Sequence, residues 1–120
     1  MANKVLLISA VCSTICHLTS FLFLAQLQHT SYIIFMLFAL MTSIWNHSST
    51  SELAKWSDRI TMGCGTIIIY TIAPVEAIYY TMPVIIGTYG LAKKMNNSIL
   101  HIVTHIGITY INIYILAYVI

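Results

Sequence analysis

The chain has 120 residues, 59% of them apolar and only 7% charged, with a formal net charge of +2, whereas a soluble domain carries about 25% charged residues. That is too little charge to coat a soluble globule, and a chain this short allows at most one domain, residues 1–120. A soluble enzyme and a disordered tail are largely excluded, and the five Lys and Arg residues, scattered singly or in pairs, do not form the basic stripe that nucleic acid requires. The composition points to an all-α, multi-pass transmembrane bundle, because helices satisfy their own backbone polar groups in lipid.

A spanning helix needs about 20 mainly apolar residues, and apolar runs divided by polar punctuation predict about five helices. The first covers about Val5 to Ala25, and the second about Ser31 to Trp45 after the break at Gln26, Gln28, His29 and Thr30. A polar stretch, Asn46 to Arg59, follows. The third span is expected over Ile60 to Ile72 and the fourth over Pro74 to Ala92, with Pro74 at the first helical position and Glu76 in the first turn. Asn96, Asn97 and Ser98 offer caps for a fifth helix, Ile99 to Val119. By this division the second and third spans are short.

Five spans place the N-terminus, the second loop and the fourth loop on one side. Those regions hold Lys4, Lys55, Arg59, Lys93 and Lys94, which is every basic residue in the chain. Lys and Arg accumulate in cytoplasmic loops, so the N-terminus is expected inside and the C-terminus outside. Trp45 and Trp56 bracket the second loop as interfacial aromatics do. Residues 1–20 resemble a signal peptide, but the apolar run continues through Phe21 to Ala25 without a clear small-residue cleavage site, and an uncleaved anchor is expected. Cys12, Cys16 and Cys64 read as small hydrophobic packing residues, with no disulfide framework.

Ionisable groups at membrane depth are costly and point to function. Ser43 and His47, four residues apart, share a face at the inner end of the second helix. Asp58 stands at the inner entry to the third, and His101 and His105, also four apart, begin the fifth. An i, i+4 His pair completed by His47 from a facing helix is the geometry for three-nitrogen zinc ligation with an open fourth position, the pattern of catalytic zinc. Asp58 is suited to take or hold the proton of a water bound there, and Ser43 to donate to that water or to a developing oxyanion. His17, His29 and Glu76, and the ladder of Tyr110, Tyr114 and Tyr118, read as structural: packing, the outer loop, a helix-start acid and outer-interface anchoring respectively.

These residues, Ser43-Ile-Trp-Asn-His47-Ser48, then Lys55-Trp56-Ser57-Asp58-Arg59-Ile60, then His101-Ile-Val-Thr-His105, resemble the three-part SxxxH, D, HxxxH signature of the CREST superfamily of membrane hydrolases. That superfamily includes alkaline ceramidases, the adiponectin and progestin receptors with haemolysin-III-like proteins, and the myomaker and GPI-processing phospholipase branch. The resemblance implies His47, His101 and His105 as zinc ligands, Asp58 and Ser43 holding the zinc-bound water, and a lipid amide or ester reached from within the bilayer. Members usually have seven spans, and this chain has room for about five, which implies a reduced, homo-oligomerising or catalytically silent relative. The small loops do not support an adiponectin-type receptor role. Two other classes remain open on the residues alone: a small non-catalytic subunit or scaffold of a membrane complex, and a haem or redox subunit, which the Asp and Ser of the inner cluster fit poorly.

Overall fold

The computed structural model describes residues 3–120. Five helices, and no strand among the described residues, follow one another through short connections: α1 (Lys4–Leu24), α2 (Thr30–Ser48), α3 (Glu52–Ile72), α4 (Glu76–Met95) and α5 (Ser98–Tyr114). A 3₁₀ turn, Leu27–His29, leads into α2, and α5 runs on into a π-helical turn, Ile115–Val119. Three of the helical stretches, Lys4–Leu24, Leu27–Ser48 and Ser98–Val119, are long and apolar enough to cross a membrane.

The helix ends have local causes. Asn3 caps α1 by accepting from the Leu6 N–H (3.1 Å), Ser51 caps α3 at Ala54, and the Asn97 side chain accepts from the N–H groups of Ile99 and Leu100. Asn96 takes the left-handed conformation (φ 49°) that ends α4, a role in which Asn is tolerated.

Two expected boundaries move. The polar stretch 46–59 is not a loop, for only residues 49–51 separate α2 from α3. With Ser51 as cap and Glu52 paired to Lys55 (2.8 Å), α3 starts eight residues before the apolar run at Ile60, so α2 with its 3₁₀ turn is of spanning length, whereas α3, although 21 residues long, is not among the stretches apolar enough to span. Pro74 is not the first helical residue either. It lies in the turn 73–75, and α4 begins at Glu76 with Val75 as its cap.

The helices form a ring in which α2 packs on α1 and α3, and α5 packs on α1 and α4; α3 and α4 close it with little contact between them. The α1–α5 seam is polar and the two helices run parallel, joined at Asn3 to Ser98 (3.2 Å), Ser9 to His105 (2.9 Å), Ser13 to Thr109 (2.6 Å) and His17 to Asn112 (3.0 Å). On α5, Gly107 seats the helix against α4, since a Cβ there would lie 2.9 Å from Ile85 Cγ1, and small residues permit such close approach. Beside an apolar core that includes Ile78, Met82, Ile111 and Ile115, the interior holds many polar groups while large apolar residues face outward. Ile8, Leu22, Phe23 and Ile106 are exposed, whereas His17, Asn46, His47, Asp58, His101 and Asn112 are buried. Many hydroxyls on the helices are satisfied by the carbonyl one turn back, such as Thr61 to Ser57 (2.7 Å) and Thr88 to Val84 (2.8 Å).

Candidate metal centre

One end of the ring gathers the groups singled out by the sequence. The Asn3 N–H donates to the His47 carbonyl (2.9 Å), which fixes the start of α1 to the end of α2, and the Asn3–Ser98 bond fixes it to the start of α5. All five basic residues belong to this end, at or near the start of α1, the start of α3 and the end of α4.

His47, in the last turn of α2, meets His101 and His105 from the first two turns of α5. Each offers one ring nitrogen, and the three nitrogens all lie within 4.8 Å of one another. Ring centroids are 5.0 Å apart for His47–His101, 5.2 Å for His47–His105 and 4.9 Å for His101–His105. His47 and His101 are buried and His105 half-buried. These separations bring three neutral nitrogen donors within reach of one ion.

The fit can be tested on the donors themselves. Nε2 of His47 is buried and has no hydrogen-bond partner. An unsatisfied buried donor or acceptor costs about 1–3 kcal/mol and is rare in folded proteins, and ligation to a metal removes that cost. On His105 the ring is oriented from outside the cluster, for Ser9 Oγ lies 2.9 Å from Nδ1. That leaves Nε2 for a ligand, the arrangement in which the second ring nitrogen of a metal-binding His is held by a polar neighbour. His101 packs against Tyr89 in a T-shaped pair, at 5.5 Å between centroids.

Asp58 is buried beside this cluster without belonging to the group of mutually close ligand atoms. It is not at the helix entry, because α3 begins at Glu52 and the first-turn acid is Glu52. Asn46 Nδ2 donates to Asp58 Oδ2 (2.8 Å), so the carboxylate is anchored by an amide. Ser43, one turn deeper than His47, lines the same cavity as Asp58, His101 and His105. That cavity, about 760 Å³, fills the middle of the ring and is walled mostly by apolar side chains such as Phe35, Met36 and Ile69. A second cavity of about 580 Å³ lies at the basic end, lined by polar groups including Asn3, Asn46, Thr50 and Asn97, and His47 and His101 form part of its wall.

The remaining candidates lie elsewhere. His17 is buried on α1 and closed by hydrogen bonds, with Phe21 in an edge-type ring pair at 6.0 Å. His29 is buried at the opposite end, where its Nε2 donates to the Ile120 carbonyl (2.9 Å), and it is no exposed loop residue. Tyr110 stacks on Tyr114 of α5 (6.3 Å), and Tyr118 of the π-helical turn packs against Tyr114 at a tilt (5.3 Å). Cys12, Cys16 and Cys64 are exposed rather than packed inside, because they fall on the outward faces of α1 and α3. Ser9, Asn46, Arg59, Lys93 and Tyr89 are the neighbours of the site that the motif spacing did not single out as such. For Ser9 a signal existed, since Ser9, Ser13 and His17 recur every four residues and so define one polar stripe on α1. No known protein family, curated protein or solved structure matches the chain.

Proposed function

We infer that the chain is a multi-pass membrane protein whose histidine-bearing end faces the cytoplasm, and that it is a zinc-dependent hydrolase of a lipid amide or ester related to the CREST superfamily. The membrane reading is supported by the apolar exterior, the buried polar groups and the three apolar stretches of spanning length. Its orientation is supported by the confinement of every basic residue to one end. The observation that carries the functional reading is the meeting of His47, His101 and His105 around a buried nitrogen left without a partner.

Zinc held by three His and an open position lowers the pKa of bound water to about 7 and polarises a carbonyl. The chain's own residues supply the remainder. The apolar cavity takes the acyl portion and brings its carbonyl to the wall formed by His101, His105, Asp58 and Ser43. Asp58, with Oδ2 fixed by Asn46, accepts the proton released when water oxygen bonds to the carbonyl carbon. It passes that proton to the departing amine or alcohol as the C–N or C–O bond breaks, so the carboxylate is regenerated. The Ser43 hydroxyl donates to the oxygen on which charge develops.

Metal analysis of the detergent-purified chain tests the site: about one zinc per chain, lost in His101→Ala and in His105→Ala, is the expected result, and a metal-free protein overturns it in favour of a scaffold. Orientation is tested separately at Asn46-His-Ser and Asn96-Asn-Ser, two glycosylation acceptor patterns that stay unmodified if this end is cytoplasmic.

A further inference from the structure

The two cavities share part of their walls. Arg59, Lys93 and His101 line both the apolar chamber and the polar one, so two cations stand beside the three-histidine cluster where the two spaces adjoin. We propose that the lipid taken by this site carries a phosphate headgroup, held by Arg59 and Lys93 while its chain occupies the apolar cavity. The proposal rests on the lipid-hydrolase reading above and adds the substrate's chemical class.

Charge accounting at this end supports it. Lys55 is neutralised by Glu52 at 2.8 Å, and this is the only ion pair among the described residues. Asp58, the one buried carboxylate nearby, is hydrogen-bonded to Asn46 and forms no ion pair. Arg59 and Lys93 therefore have no carboxylate partner. Each rests on an aromatic face instead, Arg59 Cζ at 5.2 Å from the centre of a Trp56 ring and Lys93 Nζ at 5.5 Å from that of Tyr89. A cation held over a ring keeps N–H donors available for a ligand. Lys93 is the more exposed of the two and Arg59 is half-buried, which suits a polar group entering from the basic end.

A divalent metal ion on the histidines would raise the local excess of positive charge, leaving Asp58 as the sole counter-charge beside it. Arg59, half-buried at the edge of the apolar chamber, carries a desolvation cost that pairing offsets, and the exposed Lys93 adds a second cation within reach of the same ligand. The planar fork of Arg and the point charge of Lys together suit a phosphate, which offers several acceptor oxygens to two donors at once. A neutral amphiphile would leave both cations unpaired.

The experiment is calorimetric titration of the zinc-loaded full chain, in an uncharged detergent, with monooleoyl phosphatidate, monooleoylglycerol, oleate and inorganic phosphate. The phosphate lipid is expected to bind about tenfold tighter, or better, than monooleoylglycerol, as the loss of one charge-assisted hydrogen bond implies. It is also expected to bind tighter than oleate, which has one anionic group of the wrong shape, and than free phosphate, which has no chain. Arg59→Gln and Lys93→Gln should each remove most of that preference, while Lys94→Gln, whose side chain lines neither cavity, should keep it. Equal affinity for the neutral lipid, equal affinity for oleate or for free phosphate, or an unchanged preference in both Gln variants overturns the proposal. Zinc content measured on the same samples separates the two readings. Zinc present without headgroup preference sinks the phosphate assignment alone, whereas absent zinc sinks the hydrolase reading and leaves the preference to be judged on its own titration.

Discussion

The bundle buries two histidine-containing polar clusters, and they differ in whether their hydrogen bonds close. At mid-bundle, His17 Nδ1 lies 2.7 Å from the Ser13 carbonyl, which can only accept, so Nδ1 carries the proton. Nε2 then accepts from Asn112 Nδ2 (3.0 Å), and Asn112 Oδ1 accepts from the Tyr32 hydroxyl (2.9 Å). The seam next to it is equally determined: Thr109 donates to the His105 carbonyl (2.7 Å), so Ser13 is the donor in its bond to Thr109. Every group in this cluster is used. At the basic end, three imidazoles face one another with a buried nitrogen unpaired. Both clusters cost desolvation, but only the first recovers it fully within the chain, whereas the second keeps one buried nitrogen unpaired and is placed to hold an ion.

The sharpest way to break that contrast is His47→Leu. If the cluster awaits a metal, the substitution should take zinc content from about one per chain to near zero. In metal-free protein it should leave the melting temperature unchanged or raise it, because it removes an unsatisfied buried nitrogen and fills the same space. A fall in metal-free stability with zinc content retained would show that His47 is a packing residue.

Ser9→Ala sharpens it at the next level. The Ser9–His105 bond orients the ring without contacting the ion, and loss of such a partner typically lowers metal affinity by about 10- to 100-fold. A chelator titration followed by zinc analysis should show weakened binding with unchanged stoichiometry at excess metal. Unchanged affinity would mean that the α1 hydroxyl serves only the α1–α5 seam.

Gly107 lies between the two clusters on α5 and against Ile85 on α4, so Gly107→Ala presses on both. The added methyl must displace Ile85, and overpacking of this kind costs about 1–3 kcal/mol. Thermal denaturation in detergent should show a lower melting temperature both with and without zinc, whereas an effect only in the zinc-loaded protein would assign Gly107 to the site.

The triad of histidines was legible in the sequence because the HxxxH spacing fixes one helical face and the charge rule places His47 at the same end. The existence of five helices was legible because polar residues and caps divide the chain into apolar runs. What failed were statements that depend on neighbours. The start of α3 lies in polar residues, where the Ser51 cap and the Glu52–Lys55 pair extend the helix beyond its apolar run. Asp58 thereby moved from a helix-entry acid to a buried group anchored by Asn46. Arg59 and Lys93 could be read only as markers of sidedness, since their place on a shared cavity wall follows from the ring order of helices, which the local pattern does not encode. The pairing of α1 with α5 was hidden likewise, although its serines were in view.

The smallest expected effect on the metal is the control for all the others. Asn112→Leu removes both bonds that Asn112 makes and leaves the Tyr32 hydroxyl and His17 Nε2 without their partner. Each buried group left without its partner costs about 1–3 kcal/mol, so the melting temperature should fall clearly. The fall should be the same with and without zinc, and zinc stoichiometry should not change. A zinc-dependent loss would mean that the two clusters are coupled along the α1–α5 seam through Ser13, Thr109 and His105. In that event the closed network would belong to the support of the metal centre, and the distinction between a cluster completed by the chain and one completed by a ligand would describe two ends of a single device.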